Sequence, residues 1–563
     1  MEWNLKEFFS SENELQEFIN LTKTKASNFN KTYKDNLANL TSDEFLTAVK
    51  TYETISKNIG KIMTYSYLNF AKDTIKGGEL AKNEQICNEI SQNLLFFELE
   101  FNTLDEAKKD EFINGSENYS YYLTLILKQK SHQLSLPEES VLLKTSPVGV
   151  SAFARLFDES MANLDFDGET LEEILSKLSD ANREIRKNAA LNLSKKLEEN
   201  SHLLTFILNM VKTDLKIETE LRNFEFGESS MHLYNQIEKP SVDALIKATE
   251  KRFDLPIKYY AKKREILGYE TLYDYDRYAP IGSDKTYTYE ECKAIVIDAF
   301  TKFSPKFGEL AKRAFSENWI DVYPSKTKTG GAFSHSAVSD VHPFVMLNFT
   351  NKRRDLFTLA HELGHAIHQH LAYSVGYLNS HTPLTTAETA SVFCEMLVFD
   401  YIYENEDDKL SLLASKLEDM FATLYRQINF TTFERRIHEI KDELTTEQIS
   451  QMWMSESKKM FGKSLVLNDY YKIWWSYISH FIHSPFYCYS YAYAQLLVLA
   501  IFGLYKSGKC ENFVEIYTEF LSLGGSKSPK EMVAMFGLDI DSTTFWELGL
   551  KEIEKMVTKF EEL

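Results

Sequence analysis

Residues 355–371 read DLFTLAHELGHAIHQHL. Within them His361-Glu362-Leu363-Gly364-His365 has the spacing H-E-x-x-H. On a helix this puts two imidazoles on one face, four residues apart, with a carboxylate beside the first. Two nitrogens so placed can hold a zinc ion, and the carboxylate can take a proton from water. With 13 His and 83 Asp+Glu in 563 residues, chance yields such a match about 0.04 times per chain, so the motif is read as chemistry. A structural zinc site needs no such carboxylate; a catalytic one does.

The flanks set the context. Gly330-Gly331-Ala332-Phe333-Ser334 leads into Pro343 to Phe349 (PFVMLNF), a short apolar run bounded by turn residues, as strands are. Asp355 is the expected N-cap of a helix from Leu356 to Leu371, so the motif sits on a helix that follows a strand. Catalytic zinc keeps three protein ligands and an open position, so a third ligand is required. The pattern HExxHxxGxxH is excluded, because His368 stands where glycine should and Leu371 where the last histidine should. His368 then reads as a helix-surface residue or as a partner to a ligand. Glu388, 23 residues beyond His365, and Glu395, two turns further along the same helical face, are the acidic candidates. Glu388 also completes a capping box, Thr385-Thr386-Ala387-Glu388, just after Pro383. The residues alone leave cap and ligand open. Glu395 fits either a ligand or an acceptor that orients an imidazole N–H.

Further on, His480, His483, Tyr487, Tyr489, Tyr491 and Tyr493 crowd into one stretch. Such groups can donate to a developing oxyanion. The same spacing suits a plain buried strand, and a chain with 31 Tyr makes clusters readily. No GxxxxGK[ST] phosphate loop is present, and no GxMEN motif precedes the metal helix.

Composition narrows the class. The chain holds 11 Pro and 21 Gly, and no proline occurs before Pro137 or between Pro383 and Pro485, which favours long helices. Residues 15–37 and 79–101 carry apolar residues at three- and four-residue spacing, with turns expected at Gly77-Gly78 and Asn114-Gly115. A charged helical segment from Leu191 to Lys239 is expected to end near Pro240. The net charge of −20 argues against nucleic acid or an anionic membrane as partner. Five dispersed cysteines without a CxxC pair suit reduced thiols in a cytoplasm. The amino terminus has no signal-like pattern, and the longest apolar run, Tyr491 to Tyr505, is too short to span a bilayer.

HELGHAIHQHL followed by TTAETASVFCEM resembles the oligoendopeptidase F family, relatives of thimet oligopeptidase and dipeptidyl carboxypeptidase. The resemblance extends through GGAFSHS, PFVMLNFT, YDYDRYAP (273–280) and HFIHSPFYCYSYAYAQ (480–495), and it is looser in the amino-terminal third. It implies a mainly α zincin with a small sheet beside the metal helix and a deep substrate channel. The expected division is a helical amino-terminal domain, residues 1–195, and a catalytic domain, residues 196–563. The resemblance assigns Glu388, in Glu388-Thr389-Ala390-Ser391, as the third ligand of one Zn²⁺ with His361 and His365, and Glu395 as a supporting acid. It implies Glu362 as the catalytic base, His480 and Tyr489 as catalytic donors, and Gly330, Gly331, Ala332, Tyr487 and Tyr491 as substrate-binding groups, with His483 competing with His480. The implied reaction is hydrolysis of internal bonds in short unstructured peptides. The alternatives are a dipeptidyl carboxypeptidase or carboxypeptidase on the same scaffold, which would need an anchor for a chain terminus, and a non-enzymatic helical zinc protein.

Overall fold

The computed structural model describes residues 2–282 and 285–563. Among them, 26 α-helices accompany one three-stranded sheet. The proline-free amino-terminal sequence forms long helices, Glu12–Tyr33 and Ser42–Lys72. The second opens with a capping box in which the Thr41 N–H donates to Glu44 (2.8 Å) and the Glu44 N–H donates back to the Thr41 hydroxyl (3.3 Å). Gly77 and Gly78 begin a helix, Gly77–Ser91, where a turn was expected, and the break falls just before them in a short 3₁₀ turn, Thr74–Lys76. Pro240 lies in the first turn of the Lys239–Glu250 helix, the position where its missing N–H costs nothing.

The chain forms two compact units. One comprises Met1–Lys130, Asp284–Asn405 and Cys510–Gly537; the other comprises Ser131–Ser283, Glu406–Lys509 and Leu538–Leu563. Each is assembled from three separated stretches. A cut at residue 195 therefore falls inside the second unit and coincides with an edge of neither.

The first unit holds the sheet. Strand β1 (Ile320–Asp321) runs parallel to β3 (Phe344–Met346), and β2 (Phe333–His335) runs antiparallel to it, in the order β1-β3-β2. Phe333 faces Met346, Ser334 faces Val345 and His335 faces Phe344. The central strand is wholly buried, which is why it reads as a continuous apolar run. The edge strand begins later than the glycines suggested. Gly330 and Gly331 precede it, and Gly331 takes a left-handed φ of +80°, so they form the turn into the strand. Trp3 and Phe8 pack on Phe344, and the Trp3 indole donates to the carbonyls of Trp319 (2.9 Å) and Val345 (3.0 Å). The first residues of the chain thus cover the sheet.

The metal helix runs Arg353–Ala372. Asp355 is its third residue and not its N-cap. The carboxylate reaches back to accept from the N–H groups of Lys352 (3.0 Å) and Thr350 (2.7 Å), satisfying donors one turn earlier than expected. The next helix, Leu384–Asn405, crosses it closely. A Cβ on Gly364 would sit 2.6 Å from the Ala390 carbonyl oxygen and 2.7 Å from the Ser391 Cα. Only a residue without a side chain admits this approach.

The second unit has a core rich in aromatic rings, including Phe430, Phe433, Trp453, Trp474 and Phe481. The apolar run after Tyr489 forms the buried Tyr489–Ser507 helix. Among the described residues no helix is long and apolar enough to cross a membrane.

Gly364→Ala tests the helix contact. Alanine is the better helix former, so propensity alone predicts a rise in melting temperature. The contact predicts a fall, worth about 1–3 kcal/mol of overpacking. A melting temperature unchanged or raised in the metal-free chain would refute the contact.

Candidate metal centre

Four-residue spacing brings the His361 and His365 Nε2 atoms to 3.1 Å. Glu388, on the crossing helix, places Oε2 at 3.3 Å from the first and 3.5 Å from the second. Ligand atoms at about 2.0–2.1 Å from a tetrahedral zinc lie about 3.4 Å apart, so this triangle fits three corners of such a site. The fit favours the ligand reading of Glu388 over the cap. Thr385 is already the second residue of its helix, not the N-cap that a capping box requires. The Ser391 hydroxyl donates to the same Glu388 oxygen at 2.7 Å, which gives the Glu-x-x-Ser spacing a physical purpose.

Glu395 stands behind His361. Its Oε1 lies 2.6 Å from His361 Nδ1, where that nitrogen can donate to it, so that once the imidazole is neutral Nε2 is the nitrogen left open toward Glu388 and His365. Without a metal, burial disfavours a charged His361, but the hydrogen bond and charge of Glu395, with the charge of Glu388, outweigh it and raise the imidazole to about 9. Glu388 moves the other way: burial opposes its charge, yet His365, His361 and Ser391 hold it down at about 2. His361 and Glu388 thus each favour the charged form of the other across 3.3 Å.

Glu362 is buried, and that burial raises its carboxyl above the usual range despite the two imidazoles. It lines a cavity of about 300 Å³ together with Ala332, Ser334, His365, His368 and Gln369. Gln369 ties the metal helix to the edge strand, accepting from the Ser334 hydroxyl (2.7 Å) and donating to the Ser334 carbonyl (3.1 Å). His368 is not a surface residue. It is 3% exposed, and burial lowers its imidazole to about 4, so it stays neutral beside the cavity. Around Gly330 and Gly331 the space is open, with no atom within 4 Å of a built Cβ.

The aromatic stretch belongs to the second unit and sorts by helical period. Tyr489 and Tyr493, four apart, are both fully buried. The Tyr489 hydroxyl is engaged by His232 Nδ1 (2.9 Å) and Asn235 Nδ2 (3.0 Å). With no exposed surface, Tyr489 cannot present that hydroxyl to a substrate, and the donor role expected for it is corrected on this ground. Tyr487 and Tyr491, on the other side, meet His480: its Nε2 is 3.1 Å from the Tyr491 hydroxyl, and its ring stacks on Tyr487. Tyr491 is 37% exposed. His483 faces Asp158 instead, at 2.8 Å. Sequence reading missed His232 and Asn235, which lie more than 250 residues from Tyr489 and carry no local signal.

The chain resembles known proteins in sequence and fold. The chain is 28% identical to the oligopeptidase PepF of Bacillus subtilis, covering 100% of this chain and 87% of that one. It is likewise 28% identical to an oligoendopeptidase F homolog of Borreliella burgdorferi, covering 98% of both. Among solved structures, one from Chlamydophila abortus matches with a TM-score of 0.88 at 22% identity over 100% of this chain and 98% of that one. Oligoendopeptidase-F from Enterococcus faecium matches at 0.70 and 20% identity, over 98% and 97%. The model of the oligopeptidase F amino-terminal region matches residues 100–166. That of peptidase family M3 matches residues 176–552, well over half the chain and including every donor of the triangle, and the chain belongs to that family of metallopeptidases.

Proposed function

We propose that this metallopeptidase is a zinc-dependent oligoendopeptidase that cuts internal bonds of short unstructured peptides. The observation that carries the reading is the His361–His365–Glu388 triangle with the buried Glu362 carboxyl on the same helix. His361, His365 and Glu388 would hold one Zn²⁺, with Glu395 orienting His361. When bound, zinc supplies a Lewis acid that polarises a carbonyl and acidifies water. Glu362 removes a proton from the attacking water and returns it to the departing amine nitrogen; its raised pKa suits a group that must do both. Within the second unit His480 Nε2 meets the Tyr491 hydroxyl at 3.1 Å and Tyr487 stacks on the imidazole; the resemblance, and not this geometry, gives these groups a role toward substrate. The β2 edge offers main-chain groups to an extended peptide, and the open turn at Gly330, Gly331 and Ala332 leaves its backbone room. The five cysteines are free, and we place the enzyme in the cytoplasm, where thiols stay reduced.

Glu362→Gln is expected to lower kcat about 10²–10⁴-fold while metal content stays at one per chain. Near wild-type cleavage of a quenched fluorescent peptide by the metal-loaded variant would sink the mechanism.

Glu388→Ala should abolish tight metal binding. Glu395→Ala should weaken it about 10–100-fold. Metal retention after dialysis against a graded chelator series separates the two; equal retention by Glu388→Ala and wild type would return Glu388 to a capping role.

Metal uptake should also depend on pH. The His361 imidazole, held at about 9 in the metal-free chain, must lose its proton to bind. Apparent affinity is therefore expected to rise about tenfold per pH unit from pH 7 and to level near pH 9. A flat profile over that range in a competition titration contradicts a protonated imidazole.

A further inference from the structure

The stripe of the metal helix that bears His361 and His365 continues, at the same four-residue spacing, to Gln369 and Tyr373 at its end. These later side chains close on the main chain of β2 and the residues after it. Gln369 Nε2 donates to the Ser334 carbonyl (3.1 Å), while its Oε1 accepts from the Ser334 hydroxyl (2.7 Å). The Tyr373 hydroxyl donates to the Ser336 carbonyl. Burial raises the Tyr373 phenol, so it keeps the proton that this bond uses.

Both carbonyls lie on the open side of the strand. The N–H groups of Val345 and Leu347 donate toward β1, to the carbonyls of Trp319 and Asp321 at 2.8 Å each. Phe344 and Met346 alternate with them and so face β2, opposite His335 and Phe333. Ser334, between those two, therefore turns its N–H and carbonyl away from β3. By the same alternation Ala332 and Ser336 do so as well. Ala337 takes a left-handed φ of +51°, which ends the extended run at Ser336. Since β2 is an edge of the sheet, an added strand would pair with the outward groups of these residues.

Two of the three outward carbonyls, those of Ser334 and Ser336, thus already accept from side chains of the metal helix. The primary amide of Gln369 does for Ser334 what the N–H of a paired peptide would do, and it stands where that peptide would pass. Ala332, Ser334 and Gln369 line the same cavity as Glu362 and His365, so this happens beside the proposed chemistry. From His365 to Gln369 the helix advances about 6 Å, less than two residues of extended chain at about 3.3 Å each. A peptide that runs along the edge past His365 meets Gln369 within that reach.

We propose that Gln369, with Tyr373 behind it, is a stop that ends the backbone ladder between substrate and β2 at Ala332. On the Ser334 side of Ala332 the strand then receives no further substrate N–H. The proposal rests on the reading of β2 as the edge that holds an extended peptide. It makes Gln369 a specificity-determining residue, because main-chain pairing, which ignores side-chain identity, is confined to the residues beside the cleaved bond. A longer extended segment on that side gains nothing from this strand.

The test uses the full metal-loaded chain and one peptide with both termini blocked, in which each linkage except the cleaved one is replaced in turn by an ester. An ester lacks the N–H, so a linkage paired with a strand carbonyl should bind about fivefold more weakly when replaced. Anisotropy titration reads Kd without turnover, and KM is measured beside it. Gln369→Ala frees the Ser334 carbonyl and is expected to make one further linkage sensitive, two residues outside the wild-type set, as the two-residue period of a strand requires. Gln369→Met keeps the bulk of the side chain and lacks the donor; it should give the same new linkage and carries the test if Gln369→Ala melts early. A substitution that merely loosens the fold would shift the melting temperature and weaken all peptides alike, not one linkage. The same sensitive set in wild type and both variants, or a new linkage at any other spacing, overturns the stop and leaves the edge reading standing. No sensitive linkage in wild type removes the edge reading, and the stop with it.

Discussion

Two histidines on one helix can face a common point by spacing alone, but a third donor must come from elsewhere. It arrives in range only if another backbone is allowed against the first. That permission is given at Gly364, where the Leu384–Asn405 helix passes so near that a single methyl group would meet the Ala390 carbonyl. Glu388 and Ser391 lie on the stretch that makes this crossing, so the carboxylate and the hydroxyl that steadies it are delivered by one contact. The edge strand is tied in through Ser334 and Gln369, five residues past Gly364 on the same helix. The donor triangle and the edge strand are thus referred to one backbone approach.

The charges follow from that packing. Three carboxyl groups, Glu362, Glu388 and Glu395, stand near two imidazoles on two adjoining helices, and burial sets them against one another. The outcome divides labour. Glu388 stays ionised because imidazoles and a hydroxyl face it, Glu395 is bound to the back of His361, and Glu362 rises because burial dominates. Similar side chains come to differ in charge and partners through environment alone, which suits them to the proposed roles of ligand, orienter and proton carrier.

How much of this was legible follows from the range of each signal. HELGH and the strand before it were readable because their information is local: a four-residue spacing and a run of apolar residues. Glu388 was ambiguous because a cap and a ligand use the same residue type after the same proline, and only the helix start at Leu384 separates them. The tyrosines misled through their period. Read as alternation, 487 to 493 are equivalent; on a helix, 489 and 493 turn inward while 491 remains at the surface beside His480. Partners hundreds of residues away, such as His232 for Tyr489, leave no mark near the residue they hold. A two-residue strand such as Ile320–Asp321 is too short to carry a pattern at all.

The threading of the two units has a consequence for how the molecule comes into being. Each unit is closed by a late stretch, Cys510–Gly537 for the one that holds the candidate metal donors and Leu538–Leu563 for the other. Trp3 finds a carbonyl partner in Val345, more than 300 residues along the chain. Neither unit is therefore complete within one continuous run of residues, and helices of its first stretch need partners that lie several hundred residues later. The candidate donors His361, His365 and Glu388 thus belong to a unit whose closing stretch begins more than a hundred residues after the last of them.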